Sequence, residues 1–202
     1  MPTDPATLAL LCALVLFAAV LYSSVGHAGA SAYLAAMSLF GVPPGQMKPA
    51  ALVMNILVAL VGTWRFTSAR LVLPDRPGAR RPPPAAPWLV LIGAGFGFVA
   101  GLTGVGGGIF LSPLFILAGW ADPRTTAGAS VVFILVNSIA GLAGYLLGNN
   151  AIPPATGLLA AVAVAGGLYG SWLGSRRLAP LTLRRLLSGV LIIAGLKLLL
   201  TV

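Results

Sequence analysis

The chain has 202 residues, 58% of them hydrophobic and only 7% charged, with a mean hydropathy of +1.01. So little polar surface cannot cover a soluble globule, which excludes that class and makes the lipid bilayer the solvent of the fold. The net charge of +9 is not a nucleic-acid footprint, because the basic residues cluster: Arg65, Arg70, Arg76, Arg80 and Arg81 in and beside one Pro-rich linker, Arg176, Arg177, Arg184 and Arg185 in one short loop.

A hydrophobic stretch needs roughly 20 residues to cross about 30 Å of hydrocarbon, and the chain offers eight apolar segments to set against that length. The first, 8–25, follows seven residues without Lys or Arg; the charged start of a signal peptide is missing, so it reads as a mature helix. It ends near Ser23-Ser-Val-Gly-His-Ala-Gly29. The second, 30–40, is short, about 17 Å as a helix, and Gly41-Val-Pro-Pro-Gly45 stops it. Segment 49–66 leads into the linker 67–87, whose Pro82-Pro-Pro84 makes it the one long polar divider. Segments 88–100 and 109–119, about 20 and 17 Å long, flank the break Gly104-Val-Gly-Gly-Gly108. Segment 125–147 spans outright and closes at Gly148-Asn-Asn-Ala-Ile-Pro-Pro154; 155–173 and 186–200 finish the chain. Cys12, the sole cysteine, excludes an internal disulfide and reads as a small packing residue.

Two stretches read as copies. Aligning 26–62 with 104–141 puts Gly26 on Gly104, Gly29 on Gly107, Gly41 on Gly119 and, after one inserted residue, Gly62 on Gly141. Chance likeness of apolar runs is the alternative; the shared order of break, short helix, turn and long helix favours a repeat. The organisation expected is a first repeat over 1–66, the basic linker 67–87, and a second repeat plus two C-terminal helices over 88–202. Basic loops stay cytoplasmic and touch anionic headgroups. Counting crossings from them makes 49–66 run inward and 125–147 outward. The repeats are then inverted and both termini non-cytoplasmic. The fold class expected is an all-α polytopic membrane protein of about eight helical segments, with two inverted repeats, each carrying a glycine-tipped broken-helix hairpin.

Broken helices at membrane depth are tolerated where they line a cavity, and their N-termini present unpaired N–H groups and a positive dipole end. Gly26, His27 and Gly29 form one such tip, and Gly104, Gly106, Gly107 and Gly108 the other. A small anion is the natural guest of two tips meeting near the midplane. His27 can hydrogen-bond that anion or carry a proton, or simply be held by backbone groups of the break. Asn55 and Asn137 lie inside long helices, where a buried amide either lines the path or bridges two helices. Ser130 can donate to a substrate or back-bond its own helix. Lys48 snorkels or draws anions to an entrance.

The run Ala100-Gly-Leu-Thr-Gly-Val-Gly-Gly-Gly-Ile-Phe-Leu-Ser-Pro113, with Gly119 and Ala127-Gly-Ala-Ser130 after it, resembles the TauE/SafE family of sulfite exporters. Gly166-Gly-Leu-Tyr-Gly-Ser-Trp-Leu-Gly174 is similar to that family's C-terminal end. The resemblance covers nearly the whole chain and implies a transporter of sulfite or related sulfur-containing anions in a bacterial inner membrane. Two departures stand out. Gly26-His-Ala-Gly-Ala30 is poorer in glycine than the family pattern, and two helices usual after the first copy's long helix have only the linker 67–87 in their place. A partner subunit, a homodimer among the options, is therefore left open beside the independent carrier, as is an anion channel.

The acids are Asp4, Asp75 and Asp122, all in expected loops or tails, so a buried carboxylate relay is excluded. A Walker lysine is missing, and Gly95-Phe-Gly-Phe-Val-Ala100 has no strand before it to make a dinucleotide site. Neither a nucleophile–base pair nor a metal-ligand set is visible, so an enzyme, a cofactor and a nucleic-acid partner are not expected.

Overall fold

A computed structural model of the chain describes residues 4–69, 84–103, 108–148 and 150–179, with a few isolated positions between 181 and 192. Seven α-helices and no strand occur among them: α1 Pro5–Ser24, α2 Ala30–Leu39, α3 Pro44–Ser68, α4 Ala86–Thr103, α5 Gly108–Ala118, α6 Pro123–Leu147 and α7 Thr156–Trp172, which a π-helical turn prolongs over Leu173–Arg177. Four of these, α1, α3, α6 and α7 with its extension, are long and apolar enough to cross a membrane. The expected segment 186–200 apart from Ser188, Gly189 and Ile192, the linker core and the tip residues Gly104, Gly106 and Gly107 lie outside the described residues.

Each of the helices α1, α3 and α6 opens on a proline in its first turn, where the missing N–H would have had no partner anyway. Asp4 caps α1 by accepting from Thr7 N at 2.8 Å. Asp122 caps α6 by accepting from Arg124 N and Thr125 N at 2.8 and 3.2 Å. Pro44 explains why α3 starts five residues before the expected position 49. The Pro-Pro pair at 43–44 stops α2 and also starts α3, and Pro49 is carried inside the helix. The segment expected at 88–100 is longer too. At 18 residues α4 is about 27 Å long, close to the thickness of the hydrocarbon layer, whereas α2 and α5 are well short of it. Both short helices end on the same glycine turn: Gly41 at φ 65 donates to Ser38 O, and Gly119 at φ 73 to Ile116 O.

α3 and α6 pack on each other in antiparallel sense. Going up α3 and down α6, Gly45 O meets the Tyr145 hydroxyl, Leu52 meets Gly141, Asn55 meets Ser138 and Gly62 meets Val131. α4 lies beside α6 in the same direction, Gly93 against Phe133 and Gly97 against Asn137. α7 lies along α1 through Gly166, Gly170 and Gly174. The carbonyls of Val20 and Ser24 occupy the space that side chains at Gly170 and Gly174 would need, a small-residue seam of the kind that holds membrane helices together by close approach. Arg124 donates from its guanidinium to Leu178 O. With α3 and α6 antiparallel, Arg65, Arg124, Arg176 and Arg177 therefore gather at one end of the bundle, and Lys48 and Tyr145 at the other.

Candidate functional site

The chain leaves α1 at Ser24 and re-enters helix at Ala30. Between them Gly26 (φ 76) and Gly29 (φ 97) take the left-handed conformation that only glycine adopts without strain. Gly26 also touches backbone: a Cβ there would collide with the carbonyl of Ala127 on α6. The break is thus wedged against the second copy's long helix.

From the break α2 runs back along α3. Its first residue, Ala30, shares a small cavity with Asn55, the twelfth of the 25 residues of α3. α5 runs back along α6 in the same manner, and Gly108 lies against Ile134, the twelfth of the 25 residues of α6. Both short helices therefore begin at the middle of their long partners and point away toward opposite ends. Their N-termini face the same region.

His27 fills that region. It is 2% exposed; its Nδ1 lies 3.3 Å from Val25 O and its Nε2 lies 3.5 Å from Ser112 Oγ. Ser112 is in turn 2.8 Å from Ser130 Oγ, and both serines are fully buried. The tautomer with its proton on Nδ1 satisfies both contacts, Nδ1 donating to the Val25 carbonyl and Nε2 accepting from the Ser112 hydroxyl. Tyr22 stands edge-on to the imidazole, ring centroids 6.5 Å apart, and accepts from Ser31 Oγ at 3.2 Å. The cavity bounded by Tyr22, His27, Gly29, Ser31, Asn55 and Ile134 is about 10 Å³, room for one water.

Of the residues expected in the site, Gly26, His27, Gly29, Gly108, Ser130 and Asn55 come together here; Gly104, Gly106 and Gly107 fall outside the described residues. His27 has the backbone contact of one of its alternatives, at Nδ1, and a contact with Ser112 at Nε2 that was not expected. Asn55 likewise bridges to Ser138 Oγ at 3.4 Å and lines the cavity, its Oδ1 buried without a partner. Ser130 bonds across to α5. Asn137 is not in the cluster: one residue before Ser138, it is turned about 100° around α6 and meets Gly97 of α4 instead. Ser112 was not expected. Its only sequence signal is its place one turn after Gly108, on the same helical face.

The described residues contain no group of three or more His, Cys, Asp or Glu side chains that could hold a metal ion. Long apolar spans, two half-length helices starting at mid-bundle and a buried polar cluster at their meeting point define a polytopic α-helical protein of the transporter class.

The comparisons name the group. The family model for sulfite exporter TauE/SafE matches residues 67–198. A protein of Sinorhizobium fredii named "Probable membrane transporter protein" is 33% identical over 231 aligned positions, covering 90% of this chain and 94% of that protein. A "Probable membrane transporter protein" of Methanocaldococcus jannaschii is 36% identical over 124 positions, 55% of this chain and 44% of its own length. No solved structure matches. The chain belongs to the TauE/SafE family, and it is an integral membrane transporter rather than an enzyme.

Proposed function

We propose that this transporter carries a small anion, sulfite or a related sulfur-containing anion, bound between the N-termini of α2 and α5 beside His27. The observation that carries the reading is the convergence of those two N-termini at the mid-points of α3 and α6. Free N–H groups of a helix start attract negative charge, and two starts aimed at one buried point reinforce each other. Ser112 and Ser130 supply hydroxyl donors, and a half-turn of the Asn55 amide lets Ser138 donate to Oδ1 while the NH₂ group faces the anion.

The same packing supports inverted repeats. α3 and α6 are the long helices of the two sequence copies, they lie antiparallel, and their short partners return toward opposite ends. With the arginine-rich end cytoplasmic by the positive-inside rule, α1 starts on the far side. A bacterial inner membrane suits that asymmetry.

Proton movement follows from the cluster without a carboxylate. When Nε2 takes a proton it becomes a donor, Ser112 turns its hydroxyl toward Ser130, and the chain of donors reverses. In a centre without a carboxylate, a coupling proton would be carried by His27 or by the anion itself.

The test is flux of labelled sulfite into liposomes holding the purified protein, with sulfate and a sulfonate as competitors. Saturable, competable flux that falls at least 100-fold in His27→Ala supports the reading. Flux linear in concentration indicates a channel, and no flux from folded protein would point to a missing partner subunit.

A further inference from the structure

The bundle holds a second, larger cavity that the central site does not use. It measures about 250 Å³ against the 10 Å³ at the centre, and lies among α3, α4 and α6. Lys48 and Tyr145 stand at the end opposite the arginines; Leu52 and Gly101 form apolar wall; Asn137 and Ser138 stand at mid-bundle, level with Asn55. Three details give it direction. Lys48 is exposed, and among the described residues no carboxylate pairs with it. The Nδ2 of Asn137 is buried with no hydrogen-bond partner, a donor left for a guest. Ser138 lies in the cavity wall while its Oγ accepts from Asn55, and Asn55 lines the central site. One hydrogen-bonded pair thus has a member in the wall of each space.

We infer that this cavity is an anion-recruiting vestibule and a second binding subsite, taking a monovalent organic anion of a few carbons. The head group sits between Lys48 and the Asn137 amide, the apolar body against Leu52 and Gly101, and the Asn55–Ser138 pair is the inner gate to the centre. An inorganic anion alone would leave most of the apolar wall unused. A lysine in the mouth of a low-dielectric cavity raises the local concentration of anions. The inference rests on the carrier reading for the direction of traffic only; the subsite stands on the cavity itself.

The experiment is equilibrium binding of labelled pentanesulfonate and pentanoate, and separately of sulfite, to the full chain in neutral phosphatidylcholine nanodiscs. Lys48→Gln should raise the Kd for both organic probes about tenfold or more and leave sulfite within about twofold, while Lys48→Arg stays near wild type. Gly101→Leu supplies an independent variant. Gly101 is in the cavity wall and a Cβ there meets nothing within 4 Å, so the helix accepts a side chain at that position, and a leucine that narrows the cavity should exclude both probes. Unchanged probe binding in Lys48→Gln and Gly101→Leu, or a wild type that binds sulfite and neither probe, overturns the subsite. Lys48-dependent probe binding in a protein that binds no sulfite supports the vestibule while the central reading falls.

Discussion

Gly62 of α3 is packed so closely on Val131 of α6 that a methyl group at Gly62 would stand 2.7 Å from Val131 Cγ2. Further along the same seam the roles are exchanged, and Gly141 of α6 lies against Leu52 of α3. Gly62 and Gly141 are aligned in the two sequence copies, and Leu52 and Val131 then fall on each other as well. A contact of residue i with j that recurs as j with i is the mark of a two-fold interface.

Gly62→Ala should therefore cost about 1–3 kcal/mol, the usual range for overpacking a filled contact, and Gly62→Ala with Val131→Ala should regain most of it. Gly141→Ala should cost less, since its new methyl would sit 3.3 Å from the flexible end of Leu52. Thermal unfolding of the purified variants in detergent reads both. A double variant no more stable than Gly62→Ala would show that the seam is not the cause.

Two glycines of the break separate folding from function. Gly26→Ala drives a Cβ into the Ala127 backbone and should prevent assembly. At Gly29 the left-handed backbone costs a side chain about 1–2 kcal/mol, and the obstacle is the Tyr33 ring, 2.9 Å away. Gly29→Val should therefore insert, and lose transport because the start of α2 is displaced. Size-exclusion profiles and flux on the same preparations distinguish the two. Full activity in Gly29→Val would remove the broken-helix mechanism.

Ser112→Ala leaves His27 Nε2 and Ser130 Oγ facing each other with no hydroxyl between them. Buried groups stripped of a partner cost about 1–3 kcal/mol, so stability should drop by that much and flux with it. Ser112→Thr keeps the hydroxyl and should be milder on both counts. Equal behaviour of the Ala and Thr variants in flux would mean that Ser112 only fills space.

Orientation can be read directly. In a Cys12→Ser background, cysteines at Ala69, after α3, and at Ala151, after α6, should react with an impermeant maleimide from opposite faces, Ala69 from the cytoplasmic one. The two sit at opposite ends of the antiparallel pair only if α3 and α6 continue past Gly62 and Tyr145 as packed. Labelling from one side would end the inverted arrangement.

Much of the helical framework was legible because hydropathy and punctuation carry it. Glycine turns at Gly41 and Gly119 and the spans 30–40 and 125–147 are read from single residues, and the structure moves their ends by two positions at most. α3 was clipped because Pro-Pro at 43–44 signals an end as strongly as a beginning. In the site, His27 stood out as the chain's single histidine. Ser112 did not, since a serine inside an apolar helix looks the same whether it faces lipid or a buried imidazole. Asn55 and Ser138 are 83 residues apart, and their meeting depends on the register of the α3–α6 seam, which no local pattern encodes.

That seam and the polar cluster divide the labour of a carrier unequally. If the two copies act as inverted repeats, a seam built from aligned residue pairs would let one half rock against the other, trading one set of contacts for a similar one. The cluster has no such twin: where His27, Ser112 and Ser130 stand in one copy, the aligned positions in the other hold Val105, Leu34 and Ala51. Under that reading, a preference for one facing over the other would rest on these few polar side chains and could be rebalanced there without touching the scaffold.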